Sequence, residues 1–440
     1  MAKVWAVKGD KKLRNAWAFY DWATSVYNLT ISSAVFPIYY GALFRMAEVE
    51  TVEVFGVAIE RAPLIGYVSS ISFILIALIT PLVSGIADYL GNKKIFLKFF
   101  TYLGAFGCIG LYWFSLENIY WSLLCYMAGL VGSWVSFAVY NSYLPDVAFE
   151  HQQDRLSAKG FSMGYIGSVL LLLFNLYMVM SPDTFGLEDT PEVPAAVMAM
   201  KISFVTVGLW WILFSQFSFY YLPQGYKKEG ERKNIILNGF RELKLVWNQL
   251  GEQRKLKRYL VAFFVYSMAV QTIMLIAAYF GEQEIEWGSD ENRQTGLIAS
   301  ILLIQLIAIA GAYIIAWAAQ RFGNIKTLIV VNLLWFLICL YAYTMVSPMD
   351  FYIGATLVGL VMGGIQALSR STYSKLLPET TDTTSFFSFY DVSEKIGIII
   401  GTFLFGYIIQ ITGSMKNAAL FFALFFIVGA FLLYRLYKKP

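Results

Sequence analysis

Apolar stretches of helix length follow one another along almost the whole chain. Eleven of them contain no Asp, Glu, Lys or Arg, and a twelfth, 15–44, is interrupted only by Asp21. In chain order the eleven are 63–87, 99–116, 118–144, 160–180, 202–222, 259–280, 294–320, 327–349, 351–369, 396–415 and 417–434. A helix needs roughly 20 mostly apolar residues to cross a bilayer, whereas a barrel strand needs about 10 with alternating polarity. The pattern predicts an all-α membrane protein with twelve transmembrane helices, numbered here span 1 to span 12.

The composition agrees with this pattern and disfavours a soluble protein. Of the 440 residues, 58% are hydrophobic and only 14% are charged, whereas about a quarter of an average soluble domain is charged. The three cysteines lie in apolar runs and His151 is the single histidine, so the sequence offers no spacing typical of a metal site or a disulfide framework. It also lacks a phosphate-binding G-x-x-x-x-G-K-[ST] loop. We therefore expect neither an enzyme nor a bound cofactor or metal.

The basic residues mark one side of the membrane. If the N-terminus and every second loop face the same side, that side carries 27 of the 33 Lys and Arg residues, and the opposite side carries five. Cytoplasmic loops are enriched in Lys and Arg. The sequence thus predicts cytoplasmic N- and C-termini in a bacterial inner membrane or an equivalent membrane. The net charge of +4 follows from this topology, so we expect no nucleic acid partner.

The longest segment on the basic side divides the spans into six and six. It covers 223–258 and separates an N-terminal bundle at 1–222 from a C-terminal bundle at 259–440. Three short sequence pairs recur in the two halves in the same order, among them 87–94 and 319–326. Such repeats predict two pseudo-symmetric six-helix bundles with a substrate path between them. Within the linker, 235–258 is basic and amphipathic, which predicts a helix lying along the membrane surface.

One loop and four segments resemble a known transporter family. After span 2, Asp88, Gly91, Lys93 and Lys94 form a D-x-x-G-x-K-K loop similar to the signature loop of the major facilitator superfamily, with Ser84 in place of its upstream Gly. The segments are NAWAFYDWATSVYNLTISSAVFPIYY, GFSMGYIGS, GGIQALSRSTYSKLLPE and FFSFYDVSEKIGIIIGTFLFGYI. Together they resemble the branch that contains the autophagy-related vacuolar amino-acid effluxers and their bacterial relatives of unknown substrate. The resemblance implies a membrane transporter of small solutes.

By the same resemblance, the loop after span 2 implies a conformational latch. In this superfamily the acidic residue of the signature loop is thought to hold the start of span 11. We therefore expect Asp88, Gly91 and Lys93 to act in closing the transporter rather than in binding substrate. Near the start of span 11, Asp391 and Lys395 are spaced i,i+4 and can neutralise one another. We place them in the same gate or latch, with substrate contact as an equal alternative.

Ionisable residues inside a span are functional hypotheses, because inserting one costs at least about 2.5 kcal/mol. Asp21 has no basic residue three or four positions away, so it needs a partner from another helix or a proton. We expect Asp21 to couple transport to protons, and the alternative is structural pairing with Arg14 or a basic loop. Glu394 is the second coupling candidate, and Arg370 in span 10 could supply its partner.

Polar residues in spans 1, 4, 7 and 10 are candidates for the substrate cavity. By the family resemblance, these four spans line the cavity. An amide both donates and accepts hydrogen bonds, which suits a zwitterion or another polar solute. The alternative is that the amides hold helices together, at about 0.6 kcal/mol each. The cavity candidates are Tyr20, Asn28, Asn141, Gln271, Gln366 and Arg370.

These features together predict a secondary active transporter of a small polar solute, such as an amino acid or a similar metabolite. The predicted mechanism is alternating access, with protons as the candidate coupling ion and with the lipid bilayer and the solute as partners. We expect a monomer. Two alternatives stay open: a transporter of lipids or lysolipids, and a membrane receptor that does not transport.

Overall fold

The computed structural model describes residues 7–190, 193–225 and 235–438, and over these ranges the chain is almost entirely helical. The helices in chain order are α1 (Lys11–Val26), α2 (Phe36–Met46), α3 (Arg61–Leu90), α4 (Lys93–Gly110), α5 (Ile119–Asn141), α6 (Leu144–Val147), α7 (Glu150–Met180), α8 (Ala195–Tyr221), α9 (Ile235–Glu252), α10 (Arg254–Glu284), α11 (Asp290–Phe322), α12 (Asn324–Thr344), α13 (Pro348–Leu376), α14 (Thr383–Thr412) and α15 (Met415–Lys438). Among the described residues, eleven helices are long and apolar enough to cross a membrane: α3, α4, α5, α7, α8 and α10 to α15.

The predicted span 1 is an interrupted helix. After α1 the backbone widens into a π-helical segment, Tyr27–Val35, and then continues as α2. Asp10 caps the start of α1, because its Oδ1 accepts hydrogen bonds from the backbone N–H groups of Lys12 (2.7 Å) and Leu13 (3.1 Å). π-helical turns are rare and are frequent at functional sites. The helical path from Lys11 to Met46 is therefore a further candidate span, although none of its three segments is long by itself.

One loop outside the predicted spans contains a short β-hairpin. Strands β1 (Thr51–Val54) and β2 (Val57–Glu60) pair antiparallel, with Val54 opposite Val57. The two turn residues, Phe55 and Gly56, both have positive φ, at 51° and 77°. This is the backbone that a two-residue hairpin turn requires, because it matches the twist of the strands. The hairpin lies on the side opposite the basic loops.

The linker helix α9 ends before the point that the sequence predicted. It stops at Glu252, and residues 254–258 form the first turns of α10 instead. One face of α9 packs on α3, where Gly85 leaves no room for a Cβ against the carbonyl of Gly239. Phe240 and Trp247 are exposed, whereas Val246 is fully buried. Part of the predicted membrane face is thus covered by protein.

The buried hydrophobic residues form two large clusters. One contains residues from Leu13 to Leu222, and the other contains residues from Val246 to Leu436 together with Tyr165. We refer to residues 7–222 as the first half and to residues 254–438 as the second half. The halves meet along two sets of helices: α7 packs against α11 and α13, and α14 packs against α3 and α5.

Candidate functional site

Arg370 lies between the two halves and is 1% exposed. It belongs to α13 of the second half, but its guanidinium group donates to the first half. Its Nε binds Ser157 Oγ at 2.9 Å, its Nη1 binds Asn141 Oδ1 at 3.0 Å, and its Nη2 approaches the Ser157 carbonyl at 3.1 Å and Asp21 Oδ2 at 3.4 Å. The prediction that Arg370 pairs with Glu394 is therefore wrong.

Aromatic rings surround this buried cation. The guanidinium carbon lies 4.2 Å from the ring centre of Phe161 and 4.7 Å from that of Trp17. Trp17 in turn stacks on Tyr140, with ring centroids 4.6 Å apart. Ring faces attract cations, and the attraction grows when water is excluded. The first half thus provides Arg370 with both hydrogen-bond acceptors and ring faces.

Asp21 has one bonded and one unbonded carboxylate oxygen. Its Oδ2 accepts from the hydroxyl of Tyr140 at 2.7 Å and from Arg370, whereas its Oδ1 has no hydrogen-bond partner among the described residues. Gly160 of α7 makes this packing possible, because a Cβ there would overlap Asp21 Oδ2. The cation that pairs with Asp21 is thus Arg370, and the alternative partner Arg14 is not used.

A second charged group lies on α14, where the predicted Asp391–Lys395 pair does not form. Lys395 Nζ binds the adjacent Glu394 at 2.8 Å and lies 3.5 Å from the ring centre of Trp134. Gln271 Nε2 donates to the other carboxylate oxygen of Glu394 at 2.6 Å. Asp391 is 4% exposed, and its Oδ2 has no hydrogen-bond partner in the described part of the chain.

The remaining cavity candidates lie in different environments. Gln366 is half-buried and accepts from the hydroxyl of Tyr165 at 3.1 Å, across the two halves. Asn28 is exposed on the π-helical segment and is separate from the charged groups. Tyr20 is fully buried inside the first half, where its hydroxyl and Thr101 are hydrogen-bonded at 2.7 Å.

The signature loop after α3 contacts the start of α14. Asp88 accepts from the backbone N–H groups of Ser385 (2.6 Å) and Thr384 (3.3 Å), which are unpaired groups at the beginning of a helix. Gly91 has φ of 61° and ends α3 in the left-handed conformation. Lys93 forms an ion pair with Asp146 and donates to Thr383 at 2.9 Å. We call the contact of Asp88 with α14 the first lock.

Sequence reasoning missed a second inter-half contact, centred on Asp154 of α7. Asp154 is 3% exposed, and its Oδ1 accepts from Ser371 Oγ at 2.7 Å and from Asn324 Nδ2 at 2.8 Å. Its Oδ2 pairs with Lys375 Nζ at 2.5 Å. Asp154 lies in a polar stretch between two predicted spans, so sequence reasoning assigned it to a loop and did not select it as a candidate. We call this contact the second lock.

The chain matches the family model described as vacuole effluxer Atg22 like over residues 9–439. It is 31% identical over 430 residues to an uncharacterised transporter of the major facilitator type, YxiO of Bacillus subtilis, covering 97% of this chain and 95% of that protein. It is 25% identical over 398 residues to autophagy-related protein 22 of Kluyveromyces lactis, covering 82% and 77% of the two chains.

The fold is that of the major facilitator superfamily. The transporter FucP in the outward conformation aligns with a TM-score of 0.73 at 16% identity, covering 96% of this chain and 98% of that one. A second structure of FucP, the fucose:proton symporter of E. coli, aligns with a TM-score of 0.70 at 18% identity over the same shares of the two chains.

Proposed function

The chain belongs to the vacuole effluxer Atg22-like family of the major facilitator superfamily, and on that premise we propose that it moves a small polar solute by alternating access. In this proposal the path from Lys11 to Met46 is a twelfth span beside the eleven long helices. Two six-span bundles, 1–222 and 259–440, rock about a cleft, and 223–258 connects them. The basic side is cytoplasmic.

The observation that supports this proposal best is the position of Arg370. A cation from one half is held inside the other by Asp21, Asn141 and Ser157. A buried ion pair adds little net stability compared with apolar packing, because desolvation offsets the attraction. Such a contact is suited to being broken and remade. With the two locks on the same side, it closes the cleft towards the cytoplasm.

The group around Glu394 favours a zwitterionic solute. Glu394 is half-buried and is bonded by Gln271 and Lys395, and Trp134 covers the ammonium of Lys395. A carboxylate, a cation and amides within one small region can bind the ammonium and carboxylate groups of an amino acid. These residues and Gln366 are the proposed floor of a cavity that opens to the side opposite the locks. The same polar lining disfavours lipid as cargo.

Protons are the proposed coupling ion. Asp21 is bonded to Arg370 of the other half and would lose this cation when the halves separate. Glu394 is bonded to Lys395 of its own half, and separation would remove Trp134 of the first half from that cation. The fold neighbour FucP is described as a proton symporter. Coupling through a carboxyl group within the membrane would follow the general behaviour of intramembrane acids in transporters.

Arg370→Gln tests the proposal. We expect the wild type to take up an amino acid mixture into proteoliposomes with an imposed proton gradient. The rate of uptake should fall at least tenfold in the Arg370→Gln variant. Arg370→Lys should recover little, because lysine lacks the planar fork that binds Asn141 and Ser157 together. A thermal-shift screen of amino acids, peptides and sugars selects the solute.

Two results would contradict the proposal. One is the absence of flux for every polar solute that binds. The other is wild-type flux in a folded Arg370→Gln protein, with folding checked by gel filtration.

A further inference from the structure

The charged groups around Arg370 and Lys395 include one more carboxylate than cations. The carboxylates are Asp21, Asp391 and Glu394, and the cations are Arg370 and Lys395. Asp21 is bonded to Arg370 at 3.4 Å, and Glu394 is bonded to Lys395 at 2.8 Å. Both cations therefore have their own carboxylate. Asp391 is the acid that remains without one.

Among the described residues, no cation forms an ion pair with Asp391, and Lys395 and Arg370 attract its charge only through space. Arg370 directs its hydrogen bonds to the first half, and Lys395 directs its bond to Glu394. Asp88 of α3 bonds the first turn of α14, and α9 contacts α14 through Trp247 on Phe389. The other polar or titratable side chains that face this region are Asn141 of α5, Tyr266 and Gln271 of α10, Tyr373 of α13 and Tyr390 of α14.

We infer that Asp391 holds a proton in this conformation and is the proton-binding residue of coupled transport. This rests on the proposed function. A carboxylate withdrawn from water without a paired cation is far less favourable than the neutral acid. Asp391 is 4% exposed and one of its oxygens is unbonded, whereas every other buried carboxylate described above bonds a cation or backbone N–H groups.

The location of Arg370 provides a way to release the proton. Arg370 and Asp391 belong to the same half, on α13 and α14, whereas Asp21 and Asn141 belong to the other half. When the halves separate on the side of the locks, Arg370 loses Asp21 and Asn141 and becomes available to Asp391. The acid then transfers its proton to water in the opened cleft, and its carboxylate pairs with Arg370. One proton is released in each cycle.

Infrared spectroscopy of the reconstituted full chain tests this inference without any solute. We expect the wild type to show the C=O band of a protonated carboxylic acid that shifts in heavy water. Asp391→Asn, which resembles the neutral acid in shape, should fold and should lose this band. Asp21→Asn should also lose it, because Arg370 is then free to pair with Asp391. The exposed Asp350→Asn serves as the control that keeps the band.

Each outcome decides the matter. A band that persists in Asp391→Asn overturns the assignment, and one that persists in Asp21→Asn overturns the exchange of partners. If Asp391→Asn did not fold, the wild type alone would decide, since the absence of any protonated carboxyl band contradicts the inference. Proton-driven flux without the band would reject this inference and leave the proposed function intact. The band without flux would reject the proposed function and the coupling role of Asp391, and would leave only its protonation.

Discussion

The two locks occupy related positions in the two halves but are built from different groups. In the first lock, the acid comes from the signature loop and its partners are the backbone N–H groups of Thr384 and Ser385. In the second lock, the corresponding segment 319–326 has Gln320 in place of the acid, and Gln320 is exposed at the end of α11. Asn324, the first residue of α12, instead donates to Asp154 of the first half. In both locks the first half supplies the carboxylate.

In the proposed transporter, this difference separates two ways of holding the same side closed. A helix start offers backbone donors whatever its side chains are, so the first lock depends on Asp88 and little else. The second lock depends on side chains, namely Ser371, Asn324 and Lys375. We therefore expect the second lock to be more sensitive to substitution and to contribute the larger share of the closed state.

Among the variants that compare the two locks, Asp154→Ala should weaken the contact between the halves most. Removing one partner of a buried ion pair destabilises the folded contact by about 3–5 kcal/mol. For the contact between the halves we expect a loss of about 3 kcal/mol, because Lys375 is partly exposed and can turn to water. Ala158 lies in a buried cluster of alanines between the halves. In an Ala158→Cys background, the rate of maleimide labelling measures how often the halves separate, and it should rise strongly in Asp154→Ala.

Asp88→Ala is the matched comparison and should raise labelling less, because hydrogen bonds to a charged group contribute about 1.5–3 kcal/mol. The protein without the introduced cysteine gives the background from Cys108, Cys125 and Cys339, which are buried. If Asp88→Ala raised labelling more than Asp154→Ala, our ranking of the locks would be reversed.

A pair of serine substitutions should give a smaller effect. Ser371→Ala removes the 2.7 Å hydrogen bond to Asp154, for an expected cost of about 1 kcal/mol. Ser385→Ala should leave the first lock intact, because Asp88 binds the backbone N–H of Ser385, which alanine also provides. Labelling of Ala158→Cys should therefore increase about fivefold in the first variant and stay unchanged in the second. Equal responses would contradict the distinction between side-chain and backbone donors.

Much of the fold follows from the sequence because length and polarity act locally. Each charge-free run must form its own hydrogen bonds in the membrane, so eleven of the predicted spans correspond to long helices. The β1–β2 hairpin escaped prediction because it lies in a short segment between two apolar runs of helix length, to which sequence reasoning assigned no element. The early end of α9 escaped prediction because the basic character of the segment continues across Gln253 as far as Arg258.

The pairing of charges was less predictable, because it depends on which helices meet. Sequence spacing suggested Asp391 with Lys395, but the adjacent Glu394 takes that cation. Arg370 is far from Asp21 along the chain, and α1 and α13 place the two side chains together. Local spacing determines which groups can meet on one helix, and the packing of the two halves determines which of them do.

The smallest expected effect concerns α9, which has no counterpart in the second half. Gly85, one place after the position where the superfamily has glycine, provides the space for Gly239. A larger side chain there must displace α9. Gly85→Val should therefore increase the rate at which trypsin cleaves α9 at Arg241 and Lys244. The packing of α9 on α3 should weaken by about 1 kcal/mol, because the helix can move away from the clash.

Gly66→Val is the matched control for this prediction. It lies on the same helix, and a Cβ at Gly66 meets no atom within 4 Å. Both variants add a β-branched residue to α3, so the loss of helix propensity is shared and only the contact with Gly239 differs. If the two variants were cleaved equally fast, the contact between Gly85 and Gly239 would not be what holds α9. The position of Gly85, one place after the usual glycine of the superfamily, would then not be explained by contact with α9. If only Gly85→Val were cleaved faster, α9 would be a third contact on the side of the locks, one that spans α3 and α14 and that the second half does not repeat.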